Sequence, residues 1–501
     1  MGSPPKCSGS TYSQQRLPNL PADVVIDILG FLRPCDIIEV RKTCKLLHRI
    51  TVLTTVWINA LRTLMEQRSI PKDTFPVHEL PVDLLEHIAL SPHRVVSLVK
   101  KSEEFPVEPM AIRVLSHRLT KGEKDKYGIK NMGDIDGIIL AHGGRYMVSL
   151  SVNPSDWPES TLFTLWDLGV TAFHPIQVLT RFSESRVGLE LHLFFPDPEK
   201  PSVFFIVSVQ RSSPIIVLVH QVLLSDPSSI TFLTTLEIPT ATRSDPCLVD
   251  LMPKSRKVIV SLKRGQTMSF WIWDFWNNTG ARLVGPQWPI TEEAYLLPFH
   301  DTIIFASKDK IAVYNIPPTT CSYLSGQIIP KHEASHIVEV PSVTFDAFYI
   351  QHCVRSPTSQ ESADPCHLLR LDSQQLTVLE IIDIPSDQSL IPKKHAKRKG
   401  AVDVSDVEAH AAARDNYIDG CDRCICISGF DSSKGASICM MDVRLSGEKG
   451  TNVDLAFVNA SLGHSKDDAE VEVHEFCPIL GRGCVLTTNG QVTLFDYLLP
   501  R

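Results

Sequence analysis

What the sequence lacks narrows its function before any motif is read. It contains no run of about 18 apolar residues, so no segment reads as a membrane-spanning helix. Its first residues, Met1 to Lys6, hold no apolar stretch and include Pro4 and Pro5, so no secretory leader is expected. Lys6, where Ser or Thr would be needed, argues against N-myristoylation. Positive charge is not in excess: 49 Lys and Arg stand against 57 Asp and Glu, a net charge of −8. That balance gives no electrostatic basis for nucleic acid or an anionic membrane as the main partner. There is no His-Glu-x-x-His, no Gly-x-Ser-x-Gly elbow and no Gly-rich phosphate loop. Cys421, Cys424, Cys426 and His410 come nearest to a metal set, but structural zinc wants two well-spaced ligand pairs and only one exists here. Cys424 and Cys426 also share one face of a strand, as core residues do. We therefore expect no catalytic residue, no metal and no cofactor. The 13 cysteines are odd in number and scattered, which suits free thiols in a reducing compartment, cytoplasmic or nuclear.

What is present has ordinary globular proportions. Hydrophobic residues make up 43% and charged residues 21% of 501 positions, enough for two to four domains with normal cores. Residues 1–16 are polar, with two prolines and several serines, and read as a flexible tail.

A helical module follows. Pro21 suits a helix start, and Asp23 and Asp27 are acidic groups near its positive end. Val25, Ile28, Leu29 and Leu32 form one helical stripe. Val24 and Phe31 widen that stripe beyond what one small core needs. Pro34-Cys35-Asp36 restarts the chain, with Asp36 as the expected N-cap and Glu39 completing a capping box. Ile37, Val40, Cys44, Leu47 and Ile50 continue at helical spacing. Thr54 or Thr55 would cap a third helix with Trp57, Ala60, Leu61 and Leu64 on its apolar face.

Taken in order, Leu20-Pro21-x-Asp23, Ile28-Leu29-x-x-Leu32, Asp36-Ile37, Cys44 and Trp57 closely resemble the F-box family. The resemblance spans about 45 residues and places the module at 17–65. The family often has Trp after the Cys-Lys-x element, where this chain has Leu47. In that family the module is a helical hook that docks on a Skp-type adaptor and, through it, a cullin ubiquitin ligase. The resemblance implies that Leu20, Pro21, Ile28, Leu29 and Leu32 supply the docking surface, with Leu46 and Trp57 supporting or extending it. Three short helices cannot hide two apolar faces by themselves, so a partner should cover one.

Residues 66–130 read as a helical linker, with a short amphipathic helix over Val77–Leu90. From about residue 131 the period changes to short runs rich in Val, Ile, Leu, Phe and Tyr, separated by turn residues. A two-strand unit recurs seven times, its second strand reaching Leu165-Trp166-Asp167, Leu218-Val219-His220, Ile272-Trp273-Asp274, Val313-Tyr314-Asn315, Arg370-Leu371-Asp372, Met440-Met441-Asp442 and Leu494-Phe495-Asp496. Such spacing, about 40–50 residues or somewhat longer, is that of β-propeller blades. The Trp-Asp ends resemble degenerate WD-type repeats, without the usual Gly-His element. The expected fold is thus a small α-helical module followed by a mainly-β domain over 131–501, a β-propeller with seven blades favoured over a sandwich. Closing the last blade would take a strand from near Gly137–Leu140. Within this domain, 392–416 reads as a flexible loop insertion. Its basic run Lys393-Lys394-His395-Ala396-Lys397-Arg398-Lys399 is a solvated segment or, on the sharper reading, a nuclear-import signal. Trp157, Trp166, Trp271, Trp273 and Trp276 fall at strand spacing and read as blade core or rim rather than a ligand site.

The resemblance implies a substrate receptor of an SCF-type ubiquitin ligase, with an unknown substrate protein bound by the β-domain. A scaffold working outside ubiquitination and a propeller enzyme with an incidental helical tail are the alternatives.

Overall fold

The computed structural model describes residues 20–500, apart from 69, 102–105, 128, 130–132, 154–159, 187, 201, 225–227, 239–240, 242, 244, 246, 253–254, 266, 286–294, 300–301, 307–309, 317–320, 323–330, 333, 335, 340–365, 372–374, 385–392, 404–417, 422–423, 432–434, 447–451 and 462–470. The tail expected at 1–16 lies outside the described residues. Two compact units are present: one holds the helical module and Pro76–Leu90, the other Ile70–Phe75 and Ser91–Leu499.

The helical module has four helices where the sequence suggests three: α1 (Ala22–Leu29), α2 (Pro34–Arg41), α3 (Lys45–Thr51) and α4 (Thr54–Gln67). Pro34 occupies the first helical position of α2, which moves the start ahead of Asp36. Arg33 is therefore the N-cap, and Asp36 pairs with its guanidinium at 2.8 Å instead of capping. The expected continuous second helix breaks at Cys44, which is extended (φ −156°, ψ 163°), so α3 is a separate element. Leu53, not a threonine, takes the N-cap position of α4. Trp57 is fully buried, its indole N–H donating to the Thr51 carbonyl at 2.8 Å. Arg41 lies over the Trp57 ring at 5.4 Å, donates to the same carbonyl at 3.0 Å and forks onto Glu86 at 2.7 and 3.1 Å. A buried indole needs such a partner, and the carbonyl at the end of α3 supplies it.

Glu86 belongs to α5 (Val82–Lys101), which starts later and runs further than the helix expected at 77–90. The Pro81 carbonyl accepts from Leu84 and Leu85, which fixes the start, and Pro92 is tolerated inside. The segment 66–130 is not helical throughout, because Ala111–Val114 is a strand. After it, α6 (Lys121–Tyr127) starts with a reciprocal box: the Thr120 N–H donates to Glu123 at 2.8 Å and the Glu123 N–H to the Thr120 hydroxyl at 3.3 Å.

The β unit is a series of sheets, seven among the described residues, antiparallel but for the pairing of Lys331–His332 with Thr279–Val284. The first comprises Asp134–Leu140, Tyr146–Asn153, Ser160–Asp167 and Gln177–Glu184. The second comprises Leu189–Pro196, Val203–Gln210, Ile215–Leu223 and Ser229–Ile238. The third contains Cys247–Leu251, Lys257–Arg264, Thr267–Asp274 and Thr279–Val284, extended by Cys321–Ser322 and Lys331–His332. The fourth contains Tyr295–Phe299, Thr302–Ala306, Lys310–Asn315 and His336–Glu339. Cys366–Leu371, Gln375–Ile384 and Lys393–Asp403 make the fifth, and Ile418–Cys421, Cys424–Asp431, Gly435–Ser446 and Asn452–Ser461 the sixth. Val471–Cys477, Arg482–Thr487 and Val492–Asp496 make the seventh, which Ala111–Val114 completes by pairing with Val492–Asp496. Repeated four-stranded meanders are the blade pattern of a propeller.

Two sequence expectations are corrected here. The strand that completes the last sheet is Ala111–Val114, because Gly137–Leu140 is committed to the first sheet by pairing with Tyr146–Asn153. The stretch 392–416 is not one loop: Lys393–Asp403 is the outer strand of the fifth sheet, paired with Gln375–Ile384, and 404–416 lies outside the described residues. Lysines are common on edge strands because their charge discourages further pairing, so basic composition does not by itself mark a loop. The apolar run Ala347-Phe348-Tyr349-Ile350, which by its sequence is the first strand of the fifth repeat unit, lies outside the described residues.

The recurrent Trp and Asp have physical roles. Trp166 and Trp273 are buried, with their N–H groups on the Ser149 hydroxyl at 2.8 Å and Asn278 Oδ1 at 3.1 Å. Asp167 and Asp274 accept from the backbone N–H of Gly169 (2.8 Å) and Asn277 (3.0 Å), closing the turn that follows the strand. Asp167 also pairs with Arg145 at 2.7 Å. In the seventh sheet the fully buried Arg482 donates to Asp496 at 2.7 Å and to the carbonyls of Gly144 and Gly169 at 2.8 Å each. Arg113 reaches the other Asp496 oxygen at 2.8 Å, so the completing strand is fixed by charge as well as by backbone pairing. Gly169 sits at φ +76°, and a Cβ there would meet His174 Cβ at 2.3 Å, so both turn and packing require glycine.

Cores lie between successive sheets. Leu150, Phe163 and Leu165 of the first sheet cluster with Phe204, Ile206 and Leu218 of the second. Val207, Val217 and Val219 of the second cluster with Val258, Val260 and Trp273 of the third. Val95, Val96 and Val99 of α5 pack on Phe476, Val485 and Phe495 of the seventh.

Candidate docking surface

Helix α1 carries two apolar stripes. Val25 and Leu29, at i and i+4, point inward and are buried. Val24, Ile28 and Phe31, at i, i+4 and i+7, form the outward stripe. Val24 is 39% and Ile28 37% exposed, and Phe31, just beyond the helix end, is 91% exposed. Leu46 on α3 is 40% exposed, and Val52 and Leu53 in the turn between α3 and α4 are similarly open. Pro21 is exposed, and Leu20 and Leu32 are half-buried. Isolated exposed apolar residues need no explanation, but a solvent-facing stripe ending in a nearly naked Phe does.

Of the residues assigned to docking from the sequence, Leu20, Pro21, Ile28, Leu32 and Leu46 are at least partly accessible. Leu29 and Trp57 are not: they are 2% and 0% exposed and belong to the module's own core. The 3.6-residue period turns Leu29 away from Ile28 by about 100°, and Trp57 is consumed by the Thr51 carbonyl and Arg41. Val24 and Phe31 are the surface residues that the family pattern missed. Their signal was the excess width of the α1 stripe.

The surroundings are mildly charged. Hydrogen bonding from Arg33 holds the Asp36 carboxyl below the usual range, against the opposing effect of partial burial. Lys42 and Glu39 form an exposed pair at 2.6 Å. Exposed pairs of this kind contribute little to folding and leave the apolar stripe as the feature a partner can use.

In the β unit, Trp166, Trp271 and Trp273 are buried, which makes them blade core. Trp276 is at the rim, 40% exposed under the Arg256 guanidinium at 4.2 Å. Trp157 lies outside the described residues. Among the described residues no helix is long and apolar enough to cross a membrane.

The chain thus consists of a small helical module with an outward apolar stripe, followed by repeated four-stranded β meanders. Residues 17–63 match the F-box-like family, so the chain carries an F-box-like domain ahead of its mainly-β domain. No curated protein matches the chain. Solved structures that resemble it include the Dos1 propeller, at 12% identity over 72% of this chain and 78% of that one, with a TM-score of 0.38. Sqt1 from Chaetomium thermophilum resembles it at 7% identity over 73% of this chain and 97% of that one, also with a TM-score of 0.38.

Proposed function

We propose that this chain is the substrate-recognition subunit of an SCF-type ubiquitin ligase, docking a Skp-type adaptor through its F-box-like domain and a substrate protein through its β-domain. The observation that carries this reading is the outward stripe Val24, Ile28 and Phe31 on the domain that matches the F-box-like family. With Leu20, Pro21, Leu32 and Leu46 it forms the adaptor-docking set. Ubiquitin transfer takes place elsewhere in the complex. The subunit acts by holding substrate lysines near the transfer site, which raises their effective concentration without a catalytic side chain of its own.

The test is co-purification of the full chain with a Skp-type adaptor and a cullin, for wild type and for the triple variant Val24→Asp, Ile28→Asp, Phe31→Asp. Wild type should recover adaptor and cullin together, and the variant neither. Recovery of adaptor without cullin would favour a scaffold outside ubiquitination. Failure of the folded wild type to bind any Skp-type adaptor would overturn the reading.

A further inference from the structure

Arginines of the β unit are largely matched to carboxylates of the same chain. Arg145 pairs with Asp167, Arg113 and Arg482 with Asp496, Arg181 with Glu123, Arg211 with Glu190, and Arg256 with Asp197 and Glu199. Arg264 and Arg282 make no ion pair among the described residues, although the chain has more acidic than basic side chains. Both line one cavity of about 290 Å³.

The register of the third sheet explains their meeting. Arg264 pairs with Thr267, Leu262 with Ser269, Ser269 with Val284 and Trp271 with Arg282. Steps of two residues along adjacent strands put Arg264, Thr267, Ser269 and Arg282 on one face, at the hairpin end of the sheet. The segment leading into the sheet contributes Asp245 to the lining, and Arg211 donates to the Asp245 carbonyl at 3.1 Å. The Arg282 guanidinium lies 4.9 Å from the Trp271 ring centroid, which fixes its plane. Its Nε–H is buried and has no hydrogen-bond partner among the described residues. A buried charged donor left unpaired is costly; this N–H is itself shut off from solvent, and an oxyanion in the cavity offsets part of the cost through the charge of the guanidinium on the lining. Arg264, exposed at the mouth, adds a second positive charge.

We propose that this cavity receives a carboxylate side chain of a bound partner protein, gripped by Arg282 and Arg264. Two guanidinium groups and the Asp245 carboxylate leave one net positive charge, which a single carboxylate neutralises and a phosphate dianion exceeds. The Ser269 hydroxyl is an additional donor on the lining, while the Thr267 hydroxyl is already used on the Arg264 carbonyl at 2.9 Å. This deepens the receptor reading and rests on it for the protein nature of the partner: the segment recognised by the β-domain is acidic.

The experiment uses the full chain and a fluorescein-labelled deca-glutamate peptide, read by fluorescence anisotropy. Arg282→Gln should weaken binding about ten-fold or more and Arg264→Gln by less, because the first removes a part-buried charged donor and the second an exposed one. Arg282→Lys, which keeps the charge but not the fork, should recover part of the loss. Unchanged denaturation midpoints for these variants establish that the fold is intact. Equal binding by wild type and Arg282→Gln overturns the proposal. So does tighter, Arg282-dependent binding of a matched phosphoserine peptide, which would assign the cavity to phosphate. The triple stripe variant Val24→Asp, Ile28→Asp, Phe31→Asp separates the two readings: it should lose the adaptor and bind deca-glutamate as wild type does.

Discussion

Phe31 and Leu29 lie two residues apart, yet substituting each should damage a different property. Phe31 is 91% exposed, so Phe31→Ala removes almost no contact from the folded chain. Its effect on folding should stay within about 0.5 kcal/mol, as for surface substitutions generally. Burying a whole Phe side chain under a partner contributes about 1.5–3 kcal/mol, so its loss should weaken adaptor binding by roughly 10- to 150-fold. Leu29 is 2% exposed and packs inside the module. Leu29→Ala should cost about 2–5 kcal/mol of folding free energy through lost burial and the cavity left behind. Binding to a purified Skp-type adaptor by calorimetry reads the first quantity. Hydrogen exchange of the α1 amides reads the second, because it reports local stability without requiring the whole chain to unfold in one step. Phe31→Ala should leave α1 protection as in wild type, whereas Leu29→Ala should collapse it. If Phe31→Ala binds the adaptor as tightly as wild type, or loses α1 protection, the division of α1 into an inward and an outward stripe is wrong.

Arg482→Leu removes a buried guanidinium that serves Asp496 and the Gly144 and Gly169 carbonyls. Asp496 keeps Arg113, and Arg482 Nη2 has no partner among the described residues, so the expected loss is about 3 kcal/mol, the lower end for a broken buried pair; a urea midpoint unchanged from wild type would refute it. Burial pushes the His220 imidazole down to about 4 from 6.5, with Arg186 adding to the effect. Since the folded value is depressed, the stability from keeping His220 neutral is present above about pH 6.5 and is lost as pH falls towards 4, about 2 kcal/mol of it by pH 5. His220→Phe should flatten the fall in urea midpoint between pH 7 and 5, while His117, also pushed to about 4 by burial, retains its own share; an unchanged slope would refute the assignment. Gly169→Ala should destabilise the β unit by more than 1 kcal/mol, because it combines positive φ with a 2.3 Å approach to His174, and thermal denaturation checks it.

The sequence by itself determined the order of parts and the repeat. Helical spacing in residues 20–65 and strand-length apolar runs after 131 are local signals, and side-chain period reports them directly. In six of the seven units the two-strand repeat read from the sequence corresponds to the middle two strands of a sheet; in the fifth, Arg370-Leu371 ends Cys366–Leu371, an edge strand among the described residues. Val203–Gln210 is buried almost throughout, whereas the outer Gln177–Glu184 is mostly half-exposed, so only the inner strands carry a strong apolar signal. The Asp at repeat ends was legible as a pattern, but its role in closing turns and holding arginines was not.

Tertiary structure alone decided which apolar residues face out. Ile28 and Leu29 are equivalent in hydropathy, and only packing against the rest of the module separates a surface residue from a core residue. The strand Ala111–Val114 has nothing local that marks it as the partner of Val492–Asp496, some 380 residues away, since such a pairing is fixed by the arrangement of the sheets between them. The basic stretch Lys393–Lys399 reads as loop because solvation suits it in either state, and strand pairing overrides that composition. Arg264 and Arg282 are unremarkable in sequence; strand register sets them on one face, lining one cavity.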